Sequence, residues 1–67
     1  MTLTHDEKLI TVRAMKKYGG SFVKALAECL LLADVTNQQR IEGAFIEYLM
    51  KYGPRSDAYR ATEKIEA

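Results

Sequence analysis

Apolar positions along the chain recur at helical spacing and are interrupted at three places: Gly19-Gly20, Asp34 to Asn37, and Gly53-Pro54. No stretch alternates apolar and polar residues in the manner of a half-buried strand. The pattern predicts helices over about residues 5–18, 22–33 and 36–52, and a short helix or ordered tail over 57–65. An all-α fold follows: a small three-helix domain with that short C-terminal helix or tail, spanning residues 1–67 as one unit.

The first helix has clear ends. Thr4-His5-Asp6-Glu7 matches a capping box, in which a hydroxyl and a carboxylate satisfy orphan backbone donors reciprocally. Asp6 and Glu7 sit at the positive end of the helix dipole, and Lys16 and Lys17 at the negative end. Gly19 or Gly20 is expected to supply a left-handed stop. Leu3, Ile10, Ala14 and Tyr18 share one side, while Leu9 and Val12 lie well round the cylinder. Two apolar sides predict contact with two neighbours.

Ser21 is the expected N-cap of the second helix. From Phe22 to Ala33 the only charged residues are Lys24 and Glu28, four apart on one thin solvent-facing line. A helix apolar almost all round is expected to be central, with the first and third packed against it. Two short neighbours can hardly cover it completely.

The third helix is expected to start with a Thr36–Gln39 capping box, or one turn earlier with Asp34 as the cap. Ile41, Ala44, Phe45, Tyr48, Leu49 and Tyr52 form its apolar face, which Ile46 and Met50 widen. Glu42, Glu47 and Lys51 line the other side, with Glu47 and Lys51 spaced to pair. Gly43 lies mid-helix, and close approach of a neighbouring backbone is the expected reason. Gly53 closes the helix and Pro54 stops its extension. Ser56 or Asp57 then caps a last segment with Ala58, Ala61 and Ile65 on one side.

Size changes what this pattern implies. A chain of 67 residues buries only about 60% of its unfolded surface, so small domains lean on disulfides, metals or partner chains. One Cys excludes an internal disulfide, and one His excludes a His-rich metal site. A homodimer is therefore expected. The 48% hydrophobic content is too high for disorder. Ten basic residues against nine acidic ones leave a net charge of +1, which excludes a clamp driven by bulk charge. The start of the chain lacks the apolar core of a signal peptide. The mostly apolar run Ala25 to Ala33 is far short of a membrane span. Together with the lone Cys this predicts a cytoplasmic protein without a membrane partner.

Candidate chemistry is sparse. His5 reads as an exposed first-turn residue, and Cys29, between apolar neighbours, as a small core hydrophobe. No cofactor, metal or catalytic constellation is predicted, so an enzyme is not expected. Gly19-Gly20-Ser21 reads as a plain turn and cap rather than an anion site. The nucleic-acid candidates are Arg13 and Lys17, i and i+4 on the first helix, with Asn37, Gln38 and Arg40 opening the third. Tyr18, Ile46, Met50, Tyr52 and Tyr59 are the candidates for a protein-partner surface.

The stretches Gly19-Gly20-Ser21-Phe22-Val23-Lys24-Ala25-Leu26-Ala27, Leu32-Ala33-Asp34, Ile41-Glu42-Gly43-Ala44-Phe45 and Tyr52-Gly53-Pro54 resemble small phage and prophage proteins of unassigned function. The resemblance covers about residues 15–54 and consists of caps and core positions. It implies a phage or prophage origin and a protein that binds a host protein in the host cytoplasm, inhibiting or modulating it, including in anti-defence roles. A small nucleic-acid-binding regulator is the alternative.

Overall fold

A computed structural model describes residues 2–66, all helix and turn: α1 (His5–Tyr18), α2 (Ser21–Leu32), α3 (Val35–Ala44), α4 (Ile46–Tyr52) and α5 (Asp57–Glu66). The all-α class predicted from periodicity is what the chain adopts. The long third helix is two helices, however. Phe45 leaves helical geometry at φ −121° and ψ 39°. Its N–H still donates to the Ile41 carbonyl at 2.9 Å, and its own carbonyl accepts from Tyr48 and Leu49. The bend lets Phe45 meet other rings while Leu49 and Tyr52 on α4 enter the core.

The hub is α1 rather than α2. It packs against α2 most extensively, then against α5 and α4. Thr11, Val12, Ala14 and Met15 are buried on it, Ala14 and Met15 completely. Contact with more than one neighbour was expected of α1, but its apolar sides are only partly covered: Ala14 and Val12 are buried, Leu9 and Ile10 half-buried, and Tyr18 exposed. Helix α2 buries Val23, Leu26, Ala27 and Leu30 and leaves its outward side open.

Several ends form as the local chemistry dictates. Thr4 and Glu7 make the capping box, with Thr4 N donating to Glu7 Oε1 at 2.8 Å. Asp34 caps α3 by accepting from Asn37 N at 2.8 Å, so the cap is Asp34 and not Thr36. Ser56 Oγ accepts from Tyr59 N and donates to the Gly53 carbonyl, capping α5. Other ends differ. Ser21 is the first residue inside α2, behind a Gly20 N-cap with no side-chain bond. Neither Gly19 nor Gly20 is left-handed, since no glycine has positive φ. Gly19 matters through space instead: a Cβ there would overlap the Val23 side chain and crowd the Met15 carbonyl oxygen.

Gly43 also departs from expectation. It is exposed, and a Cβ there would meet nothing within 4 Å. No backbone approaches it. Gly43→Ala should therefore stabilise the chain by about 1 kcal/mol through helix propensity alone. A thermal melt checks this: the midpoint should rise, and a fall would restore the close-approach explanation.

Glu42 was placed on the solvent side and is instead 1% exposed. Its Oε2 accepts from Leu3 N and Gln38 Nε2, both at 2.9 Å, and Gln38 Nε2 also donates to the Leu3 carbonyl. Two α3 side chains one turn apart thus satisfy both backbone groups of Leu3, whose side chain is buried in the core. The Glu47–Lys51 pair does not form among the described residues. Lys51 Nζ lies over the Tyr52 ring instead, 5.7 Å from its centroid. On α5 the buried residues are Tyr59 and Thr62, while Ile65, expected on the packing side, is exposed.

Candidate binding surface

The open side of α2 carries Phe22, Ala25, Cys29 and Leu32, spaced three, four and three residues apart and so aligned along one face. All four are exposed, Phe22 by 54% and Leu32 by 77%. Cys29 is thus not a core residue: it is exposed, one turn on from the buried Leu26, beside which it lines the groove described below. This is the surplus apolar surface that two short neighbours could not hide.

Beside the seam runs a groove of about 620 Å³ between α2 and α3. Leu26, Cys29, Leu32 and Ala33 form one wall, and Asn37, Arg40, Ile41 and Phe45 the other. Phe22, Phe45 and Tyr48 sit at its Phe22 end as a tilted aromatic cluster, with ring centroids 5.6–6.3 Å apart. The bend at Phe45 is what aims that ring across to α2. The seam and groove are therefore one surface built by the fold, running about 15 Å along α2 at 1.5 Å per residue.

Charge around the groove is uneven. Arg40 stands in its wall, exposed. The nearest acids are engaged: Glu28 pairs with Lys16 at 2.8 Å, and Asp34 is committed to the α3 cap. Lys8 Nζ donates to the Ala33 carbonyl at 3.0 Å, satisfying a carbonyl past the end of α2.

The partner-surface candidates divide. Tyr18, Ile46 and Met50 are exposed. Tyr52 and Tyr59 are core residues, 5% and 7% exposed, which corrects their placement at an interface. Burial of Tyr59 raises its phenol above the ordinary value, helped by the carboxylates of Glu63, Glu7 and Asp6. Met50 borders a separate hollow of about 340 Å³ beside Leu3, Leu49 and Pro54. Sequence reasoning missed Phe22, Ala25, Cys29 and Leu32 as a site, although their spacing was the available signal.

The nucleic-acid candidates are not gathered into one surface. Gln38 is buried and its amide is spent on Leu3 and Glu42. Lys17 Nζ rests 5.5 Å from the Tyr18 ring centroid. Arg13, Asn37 and Arg40 are exposed, the first on α1 and the others on α3. His5 is exposed in the first turn of α1. Among the described residues, no group of three or more His, Cys, Asp and Glu could hold a metal ion. No described helix is long and apolar enough to cross a membrane.

Comparison with protein-family models, with curated proteins and with solved structures finds no match for the chain.

Proposed function

We propose that the protein acts by binding another polypeptide, with the open face of α2 and the α2–α3 groove as its working surface. The observation that carries this reading is the exposed seam of Phe22, Ala25, Cys29 and Leu32 beside an apolar groove. Mainly apolar walls, with Asn37 and Arg40 as their polar residues, suit the apolar side of an amphipathic helix. The length of the seam matches about three turns of such a helix. The resemblance to small phage proteins favours a host protein as partner, and inhibition or modulation by covering that protein's helix. Binding, rather than catalysis or base reading, is the activity proposed.

Capture from a bacterial lysate tests this, with Leu32→Glu run in parallel and a nuclease-treated control. Wild-type chain should retain a protein that Leu32→Glu loses, with retention unaffected by nuclease. Capture that disappears with nuclease, and falls steeply with added salt, would instead support the nucleic-acid reading.

A further inference from the structure

We infer that in the free protein the open face of α2 is covered by α2 of a second copy, running antiparallel about a two-fold axis. This rests on the reading of that face as a binding surface and names its occupant. The inference comes from the order of side-chain sizes along the seam. Phe22 is large, Ala25 small, Cys29 small and Leu32 large. The outer pair and the inner pair share one midpoint, Ala27. An antiparallel copy centred there sets Phe22 against the partner's Leu32 and Ala25 against the partner's Cys29. Small residues thus meet at the middle, where helices must approach within about 8–10 Å, and large ones close both ends. A seam for an unrelated helix has no reason to be symmetric about its own centre; an isologous one must be self-complementary.

The three-four-three spacing suits this packing, because it keeps one seam facing its partner along nearly parallel or antiparallel axes. Arg40, exposed beside the groove, can keep its charge in water while its stem covers apolar surface. A stable two-fold contact covers about 600–1,000 Å² on each copy, so the pairing must cover the adjoining groove residues Ile41 and Phe45 together with the seam.

Sedimentation equilibrium of the full chain across the micromolar range tests this. The mass should be that of two chains. Leu32→Glu alters a side chain exposed in the single copy, so circular dichroism should stay helical. Its dimer dissociation constant should rise about 100-fold or more, from stranding a charge in an apolar seam. Ile65→Glu, on exposed α5 surface, should leave the dimer intact. Ala25→Cys supplies a second readout: oxidation should join it to the partner's Cys29 as a covalent dimer, faster than wild-type chain cross-links. A single-chain mass throughout overturns the inference, as does a dimer indifferent to Leu32→Glu. If the chain is monomeric yet captures a protein that Leu32→Glu loses, self-pairing fails while the binding reading stands. If the chain is monomeric and captures nothing, both fail.

Discussion

Leu30→Ala should destabilise the chain by about 2–5 kcal/mol, the range for truncating a buried leucine and leaving a partly unfilled cavity. Leu30 is 0% exposed, on the side of α2 that faces the core. Its neighbours in that core include Met15 and Ala27, both fully buried. A domain this small holds only a few kcal/mol in reserve, so the variant should be largely unfolded at room temperature. Leu26→Ala, at 7% exposure, should fall in the same range. Urea denaturation monitored by circular dichroism measures both. Shifts below about 0.5 kcal/mol, typical of surface sites, would mean that α2 packs by a different face.

Glu42→Ala is the second large effect. The substitution strands Leu3 N and removes one of the two bonds donated by Gln38 Nε2, both now made to Glu42 Oε2 at 2.9 Å, while Gln38 Nε2 keeps its bond to the Leu3 carbonyl. A stranded group costs about 1–3 kcal/mol, and loss of the strap would also release Leu3 from the core. Glu42 Oε1 finds no partner among the described residues, so part of the carboxylate's desolvation is uncompensated and the variant regains it. The expected net loss is about 2–4 kcal/mol. Glu47→Ala, exposed on α4 just past the bend, should stay within about 0.5 kcal/mol. Equal effects at the two positions, read from denaturation midpoints, would show that the Leu3 clamp contributes nothing.

Several features carried by neighbours in sequence were readable, although the Ser21 cap, the left-handed glycine stop and the Glu47–Lys51 pair, equally local, did not form among the described residues; those carried by distant residues were not. The Thr4–Glu7 box, the Asp34 and Ser56 caps and the Gly53-Pro54 stop each depend on residues within about one turn. Phe45 is different. Ile41, Phe45, Tyr48, Leu49 and Tyr52 keep helical spacing straight through the bend, so periodicity reports one helix where there are two. The burial of Glu42 depends on Leu3, 39 positions away, and nothing local signals it. Cys29 was misplaced because its sequence neighbours are apolar, whereas its face is set by rotation about α2. The choice of α1 as hub turns on α5, whose small apolar content hides the fact that it packs against α1, with Tyr59 and Thr62 buried. The surplus on α2 was legible as composition, and only the fold shows it as a seam with a groove beside it.

That the outward face of α2 docks a polypeptide is tested most directly by methyl NMR, through a dilution series and then with the captured protein added. The methyl signals of Ala25, Leu32 and Ile41 should move in at least one of these titrations. Those of Met50 and Ile65, open to solvent on α4 and α5, should hold still. Fixed signals at Ala25, Leu32 and Ile41 in both titrations, or movement confined to Met50 and Ile65, would contradict a docking role for this face.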